Sequence, residues 1–441
     1  MQTRLMTRFS SLLIFLCLLG SLSGCALLRG VGQDTGNGTP SVPMTATPQP
    51  TAPASARGST YAYIAENQLW VALQGSTPRK VTAFANSSTT LNIYWHSPLW
   101  SSHARYLAVI VSAQPAGVGG GGCPAPQFGA NGALYVLDTV SMRLSKVTVP
   151  ADSGDAQANS PQNGYWQTYF WQDATHLLAW YNGAAPGVSN SAAGLYSYDL
   201  STHLLTRVVT LADLGVATLF NQDVPKDTPL LLALRYNQGY LYYQEVVQPF
   251  TTQSRLLLQR ISLLPGTVST PQLVLTQSSA GWCTSSSSAY IKPGWDIAPG
   301  GRNLVAQVPA EGTSSIKEVD LVNGVSTELF AGLPAAASGH DLTLSWSPSG
   351  KTIVASESHA FSQDGPFCVQ LAQPKKLLSY KPVGAGEVVW RSDSQAFTLQ
   401  NIDLTMPSAT NGPLGPYIYQ IDQNTQQAQL LLNGVSGFAW G

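Results

Sequence analysis

Charged side chains are scarce in this sequence: only 10% of its 441 residues are Asp, Glu, Lys or Arg, and the formal net charge is −1. No basic run and no basic segment interleaved with aromatic residues occurs, which argues against nucleic acid as a partner. Cysteine is scarce too, with five in the chain and no CxxC or HxxxH spacing. The sequence therefore supports neither a metal site nor a cofactor.

Catalytic motifs are also missing. No GxSxG nucleophile elbow occurs, so the sequence does not indicate an appended serine peptidase. The glycines from Gly117 to Gly122 match GxGxxG formally, but CPAP follows them instead of a helix that could bind phosphate. The GKT at Gly350 lacks the first glycine of a phosphate-binding loop, because Ser345 stands there. These absences favour a binding protein over an enzyme.

The amino terminus has the three parts of an export signal. Arg4 and Arg8 precede the apolar stretch SLLIFLCLLG, which is too short for a resident membrane-spanning helix. LSGC follows and ends at Cys25. A branched apolar residue, two small residues and a cysteine in this order resemble the lipid-modification signal of bacterial lipoproteins. The resemblance implies that 1–24 are removed and that Cys25 carries the lipid; the alternative is an ordinary secretory signal with a chance cysteine.

Residues 25–58 differ sharply from the rest of the chain. They are rich in proline and threonine and contain no aromatic residue, so they cannot bury enough apolar surface to offset the entropy of ordering. We expect a lipid-anchored linker over 25–58 and a folded domain over 59–441. Lipid on Cys25 would hold the protein on the outward-facing side of the cell membrane.

The folded domain repeats a short pattern about every 50 residues. Its clearest copy is WSPSGKTIVA, which begins at Trp346, and related copies begin at Trp100, Trp171 and Trp390. Weaker copies lie at Ile297 and near Phe220. An apolar strand that ends in an aromatic residue, a tight polar turn and a second apolar strand fit this pattern. Two further strands follow most copies, which predicts four antiparallel strands per unit, as in a propeller blade.

The two ends of the domain complement each other. Residues 60–84 supply three strands without an inner one, and residues 435–441 supply a single strand that ends in Trp440. Pairing them would complete a blade and close the ring. The sequence thus predicts an all-β propeller of seven blades: 60–84 with 435–441, then 93–150, 165–211, 217–277, 291–333, 341–384 and 386–434. Six or eight blades remain open because the fourth and fifth copies are the most divergent; a pair of β-sandwiches would explain neither the spacing nor the matching ends.

These repeats resemble the TolB-like (PD40) branch of β-propellers, which is related to WD40 domains. The resemblance covers nearly all of 60–441, although only the sixth copy matches closely. Propellers of this kind bind ligands and partners mainly at the mouth of the central channel. The repeat tryptophans are expected to pack between blades.

Counting back from each repeat tryptophan places a set of aromatic and polar residues at the mouth where the inner strands begin. The set is Trp95, His96, Tyr165, Trp166, Gln167, Lys292, His340, Asp341 and Glu387. The inserts 112–131, 278–290 and 358–367 should lie on the same face. Cys283 and Cys368 fall in loops of neighbouring blades there, so we predict a disulfide between them and a free Cys123.

The sequence as a whole favours a membrane-anchored, extracytoplasmic module that binds or scaffolds a protein or peptide partner. The alternative is an enzyme or sensor that binds a carbohydrate or small ligand at the channel mouth. Paired carboxylates would be needed for glycoside hydrolysis, and Asp341 and Glu387 are the only obvious pair.

Overall fold

A computed structural model describes the chain within Pro50–Gly441. The described residues are 59–65, 68–74, 76–81, 98–111, 133–150, 166–182, 192–217, 228–248, 253–265, 270–278, 294–310, 313–334, 342–357, 367–371, 376–379, 388–401 and 417–441. Strands dominate them. The one α-helix of this part of the chain is α1 (Leu211–Leu214), and a single 3-10 turn spans Ser102–Ala104.

The strands form seven four-stranded antiparallel sheets. Blade 1 combines β1 (Tyr61–Ala65), β2 (Gln68–Ala72) and β3 (Arg79–Lys80) with the last strand, β28 (Val435–Trp440). Blade 2 contains β4 (Leu99–Trp100), β5 (Tyr106–Val111), β6 (Ala133–Asp138) and β7 (Arg143–Lys146). Blade 3 contains β8 (Trp166–Trp171), β9 (His176–Tyr181), β10 (Gly194–Asp199) and β11 (Leu205–Thr210). Blade 4 contains β12 (Leu230–Asn237), β13 (Tyr240–Val247), β14 (Arg255–Ser262) and β15 (Gln272–Ser278).

Blade 5 contains β16 (Trp295–Ile297), β17 (Asn303–Ala310), β18 (Thr313–Asp320) and β19 (Ser326–Pro334). Blade 6 contains β20 (Leu342–Trp346), β21 (Thr352–Glu357), β22 (Phe367–Gln370) and β23 (Lys376–Ser379). Blade 7 contains β24 (Val388–Trp390), β25 (Ala396–Asn401), β26 (Tyr417–Asp422) and β27 (Ala428–Asn433). The strand order within each sheet follows the chain except in blade 1, where β28 pairs with β1. The prediction of an all-β propeller with four-stranded blades is confirmed.

The turn after each inner strand explains why the repeat has its sequence. In blade 6, Ser347 follows the repeat tryptophan, and its hydroxyl accepts a hydrogen bond from the Thr352 amide at 3.1 Å. Gly350 has a φ of +70°, a conformation that favours glycine. Ser101 in blade 2 accepts an equivalent bond from the Tyr106 amide at 2.9 Å. A small polar residue after the aromatic one therefore stabilises the reversal of the chain.

An aspartate begins the turn between the third and fourth strands of several blades. Asp138, Asp199, Asp320 and Asp422 each accept backbone amide bonds from residues two positions on. The fourth residue after each aspartate has a positive φ: Met142, His203, Gly324 and Gln426. These amide bonds help to hold the pKa of Asp138 and of Asp320 below the usual value. The motif is a second repeated turn at the same end of the strands as the first.

Hydrophobic clusters join neighbouring blades pairwise. Six of them connect blades 1 and 2, 2 and 3, 3 and 4, 4 and 5, 5 and 6, and 6 and 7. A seventh joins blade 7 to blade 1, where Ile418 and Leu431 pack with Tyr61 and Phe438. Within the described residues, the core therefore lies between the sheets and continues from the last blade back to the first.

The repeat tryptophans pack between blades and also form hydrogen bonds across them. Trp171 donates from Nε1 to the carbonyl of Leu99 at 2.9 Å. Trp100 and Trp390 donate in the same way to Ala439 and Ser345, each at 3.4 Å. In every case the acceptor immediately precedes the aromatic residue of the preceding blade. The indole thus combines apolar burial with a specific inter-blade bond.

One copy of the repeat lies elsewhere than the sequence indicated. The sequence places a copy near Phe220, which lies outside the described residues, and the inner strand of the fourth blade is β12. Its terminal aromatic residue is Tyr236, and a two-residue turn, Gln238–Gly239, replaces the longer polar turn. Both turn residues have positive φ, as a tight hairpin requires. The divergent turn concealed the true position of the repeat.

Antiparallel strands alternate in direction, so the connections separate into two faces. The turns after each inner strand and after each third strand lie on one face, which we call the turn face. The connections between second and third strands, and between successive blades, begin and end on the opposite face, which we call the loop face. The inner strands begin at the loop face.

Candidate functional site

Most of the residues predicted for the channel mouth lie outside the described residues: Trp95, His96, Tyr165, Lys292, His340, Asp341 and Glu387. The predicted disulfide also lies outside them, since Cys283 and Cys123 are not described and only the backbone of Cys368 is placed, in β22. Those assignments stay predictions. Trp166 and Gln167, at the start of β8, are the two members of the set that the structure describes.

Trp166 is a core residue rather than an open ligand platform. Its side chain is 1% exposed and packs edge-on against Tyr181 at 5.2 Å and Tyr196 at 6.0 Å. It belongs to the cluster between blades 2 and 3. The aromatic face that the sequence interpretation assigned to a ligand is thus already covered by protein. Gln167 is buried as well, at a bulge where the pairing of β8 with β9 shifts.

A ring of equivalent positions lies one residue before the residue that ends the core pattern of each inner strand, which is aromatic in every blade except blade 5, where it is Ile297. We call it the inner ring; its members are Ala439, Leu99, Phe170, Arg235, Asp296, Ser345 and Val389. Phe170 and Val389 each pack against the next blade, so side chains at this position can point towards the next blade along the chain. Arg235 and Asp296 are the only charged residues on the inner strands as described.

Arg235 and Asp296 occupy adjacent blades and contact the next blade in different ways. The Arg235 guanidinium is exposed and lies over the Trp295 ring, 5.9 Å from its centroid. The Asp296 carboxylate accepts a hydrogen bond from the Trp346 amide at 2.7 Å. Burial raises the pKa of Asp296, while the amide bond and the charge of Arg235 act against that rise. This part of the inner ring therefore combines an open cation with an enclosed carboxyl group.

Buried glutamines connect blades 4, 5 and 6 near the loop face. Gln244 donates to Gln277 at 3.3 Å, and Gln277 donates to the backbone carbonyl of Gln307 at 2.6 Å. The Gln307 side chain in turn accepts from the amide of Leu342, the first residue of β20, at 3.1 Å. This chain fixes where an inner strand begins. Sequence reasoning missed it because glutamine in a strand usually indicates a solvent-facing position.

Glu245 is a second enclosed carboxyl group, on the side of blade 4 that faces blade 3. It is 3% exposed, and Gln259 donates to its Oε1 at 2.5 Å. Burial raises its pKa to about 7, with the bond from Gln259 acting in the opposite direction. The carboxyl is thus protonated in the folded protein at pH values where an unfolded chain has lost the proton.

This difference makes stability depend on pH. Between the ordinary pKa of glutamate and about pH 7, the folded state holds a proton on Glu245 that the unfolded state has lost. The free energy of unfolding should therefore fall as pH rises through that range and then level off. Glu245→Gln removes the titrating group and keeps the bond to Gln259. We expect it to be more stable than the wild type at pH 8, by roughly 1–3 kcal/mol, and nearly equal at pH 5.

Chemical denaturation at several pH values measures this effect. Glu328→Gln, a change at an exposed strand position, is the matched control and should leave the pH profile of stability unaltered. A wild-type profile that is flat between pH 5 and pH 8, or a Glu245→Gln variant with the same slope, would contradict the assignment.

Within the described ranges, no group of three or more His, Cys, Asp or Glu side chains could hold a metal ion. No helix in this part of the chain is long and apolar enough to cross a membrane.

Comparison with known proteins gives likenesses of structure only. No family model matches the sequence, and no curated protein matches it. A structure from a study of two prolyl endopeptidases is similar at 13% identity and a TM-score of 0.52. The match covers 85% of this chain and 48% of the endopeptidase chain, so this chain spans about half the length of the endopeptidase. TolB from Acinetobacter baumannii is similar at 14% identity and a TM-score of 0.40, over 87% of this chain and 66% of that one.

Oligogalacturonate lyase from Vibrio parahaemolyticus is similar at 11% identity and a TM-score of 0.45, over 86% of this chain and 87% of that one. The similar structures therefore include enzymes as well as TolB. Of these three matches, the prolyl endopeptidase structure alone reaches a TM-score above 0.5, and at 13% identity it bears on the fold and transfers no activity to this chain.

Proposed function

We propose that the protein is exported, anchored to the outward-facing side of the cell membrane by lipid on Cys25, and acts as a binding or scaffold module for a protein or peptide partner. Residues 25–58 would be the tether that lifts the propeller from the membrane. The signal sequence and the composition of the tether support the anchoring. The asymmetry between the two faces supports the binding role.

That asymmetry is the observation that carries the proposal. The connections on the turn face are shorter, the longest being 263–271 between β14 and β15, and several of them are fixed by side-chain hydrogen bonds to the backbone. Every long connection instead joins strand ends at the loop face: 81–98, 112–132, 147–165, 182–193, 211–229, 279–294 and 402–416. Loops presented by a rigid scaffold are where binding residues concentrate. A large face built from long connections suits a protein partner better than a small ligand.

We further propose that the seven sheets are the blades of one closed ring. Pairing of β28 with β1 supports this, and so does the hydrophobic cluster between blades 7 and 1. Closure removes exposed sheet edges that would otherwise pair with other chains. It also places the free edges of the inner strands around a central channel.

Photo-crosslinking in the native membrane tests the binding role. A benzophenone amino acid is placed at Gln127, Gln253 or Gln363, in loop-face connections of blades 2, 4 and 6, and separately at Val140 or Val322 on the turn face. The turn-face side chains are 73% and 80% exposed, so they are accessible controls. We expect one specific protein adduct from loop-face positions alone. Adducts from the turn face alone, or from no position, would contradict the proposal.

A further inference from the structure

The chain enters the propeller on the turn face. β1 begins at that face because it lies next to the inner strand β28 and runs antiparallel to it. There the Gly441 amide donates to the Thr60 carbonyl at 2.9 Å, and Tyr61 pairs with Trp440. The part of the chain that precedes residue 59 therefore joins the domain at the turn face, while the loop face lies at the opposite ends of the strands.

Hydrogen bonds between neighbouring turns hold the turn face together. The Gln238 side chain of blade 4 donates to the Pro299 carbonyl of blade 5 at 2.9 Å. Arg260, also of blade 4, donates to the Leu321 carbonyl in the outer turn of blade 5 at 3.2 Å. The indole bonds described above join the inner strands of blades 1, 2 and 3 in a similar way. Exposed side chains on neighbouring turns are thus fixed relative to one another and can contact one surface together.

Large apolar side chains are exposed at the outer turns of blades 2 to 5. In the described part of the chain, nine such side chains are exposed, and five of them lie in the turns between third and fourth strands. These five are between 45% and 80% exposed: Val140, Leu204, Leu264, Val322 and Val325. Their concentration on one face of the domain is typical of a surface that binds an apolar phase.

Blade 7 shows that the turns do not need apolar residues to form. It has Asn424 where blades 2 and 5 have Val140 and Val322. In all three turns the amide of this residue donates to the aspartate two positions earlier, at 2.8 or 2.9 Å. Asparagine therefore forms the same turn as valine. The apolar character of the two valines is explained by a contact outside the folded domain.

Arginines beside the two valine turns are paired with the aspartates that begin them. Arg105 lies 3.0 Å from Asp138, and Arg302 lies 3.0 Å from Asp320. Arg143 adds an exposed cation at the end of the blade 2 turn. Since the ion pairs offset most of the charge next to the valines, the contact should be mainly apolar. A surface without net charge is therefore a suitable probe for it.

We propose that the turn face of blades 2 to 5 docks on the lipid surface that carries the Cys25 anchor, with the valine and leucine side chains of the outer turns at the boundary between headgroups and acyl chains. This orientation rests on the lipid anchor proposed above. The tether 25–58 would span roughly 30 Å as a flexible chain, so the propeller can stand off the membrane and settle back on it. Docking is then intramolecular, and weak apolar contacts suffice.

The arrangement of the apolar side chains favours lipid over a second copy of this chain. They lie on separate turns of four blades, which a deformable apolar medium can contact all at once. A stable protein interface would need a continuous, complementary surface instead. With the turn face on the membrane, the loop face points outward, towards the protein partner.

Lipid quenching of a fluorescent amino acid in the full lipoprotein tests this orientation. The protein is inserted into phosphatidylcholine vesicles that contain nitroxide-labelled phosphatidylcholine. An aminonaphthyl amino acid replaces either Leu204 on the turn face or Arg255 on the loop face. Arg255 is the matched control because it is exposed at the start of β14. We expect quenching at position 204 and none at position 255.

Substitution of the two valines tests whether the outer turns hold the domain on the lipid. With the fluorophore at position 204, Val140→Asn/Val322→Asn should lose about half of the quenching or more, because binding scales with the buried apolar area. Val208→Asn is the control, since Val208 is exposed within β11 rather than in a turn, and it should lose none. Near-ultraviolet circular dichroism of the double variant should match that of the wild type.

Equal quenching at positions 204 and 255, or full quenching in the double variant, would overturn the docking surface. Crosslinks between two copies at position 204, without quenching, would show that a second copy covers the face and would overturn it too. Mass spectrometry of the same sample separates this inference from the proposed function. Lipid on Cys25 without quenching at position 204 overturns the orientation alone, whereas absence of lipid overturns the anchor and the orientation together.

Discussion

Deletion of residues 435–441 is expected to abolish folding of the propeller. These residues form β28, the inner strand of blade 1, and Val435, Phe438, Ala439 and Trp440 are at most 7% exposed. Without β28, the edge of β1 and the apolar surface between blades 7 and 1 would both be open, which favours aggregation. Recovery of soluble, monomeric protein by size-exclusion chromatography measures the outcome.

A point substitution at the interface between blades 7 and 1 measures the contribution of side-chain packing without removing the strand. Phe438 is 1% exposed and packs against Trp440 at 4.9 Å and Tyr61 at 6.0 Å. Phe438→Ala should cost about 3–5 kcal/mol of stability, because it leaves a cavity in a buried aromatic cluster. Leu430→Ala is the control: this side chain on β27 is 45% exposed, and its loss should cost little. Equal melting temperatures for the two variants would contradict tight packing between blades 7 and 1.

Replacement of Cys25 is expected to remove all lipid from the protein. In the proposed signal, lipid attaches at this residue alone and begins with its thiol, so Cys25→Ala should carry no metabolic fatty-acid label. Cys17→Ala is the matched control, since Cys17 lies in the apolar stretch of the same signal and should not be modified. Mass spectrometry of the wild type should find an acylated peptide that begins at Cys25. Label retained in Cys25→Ala, or a mature terminus elsewhere, would contradict the anchoring proposal.

The fold could be predicted because the repeat has a local physical cause. An aromatic residue, a small polar residue and a tight turn recur wherever an inner strand ends, as at Trp100 and Trp346. The strands at the two ends of the domain are each incomplete alone, which indicated that β28 pairs with β1. Local turn chemistry and strand count are visible in one sequence.

The candidate site was harder to predict because it depends on irregularities. Counting back from Trp171 assigned Trp166 to the channel mouth. The pairing of β8 with β9 shifts at Gln167, and the Trp166 ring lies in the core instead. Blade 4 lacks the repeat tryptophan, so Arg235 was not recognised as a member of the inner ring. Alignment of Tyr236 with the other aromatic residues would have revealed it. Glu245 gave no signal at all, because a carboxyl group in an apolar strand is more often on the exposed side.

Disulfide trapping across the first and last strands tests the closed ring most directly. Ala62 and Ala439 are register partners between β1 and β28, within the reach of a disulfide. Ring closure predicts that Ala62→Cys/Ala439→Cys forms this bond, seen by mass mapping, and that both ends of the domain stay joined after cleavage between blades. Ala65→Cys/Ala439→Cys should not crosslink, because Ala65 pairs with Val435 instead. Free thiols in the first pair, or crosslinking in the second, would contradict ring closure by the C-terminal strand.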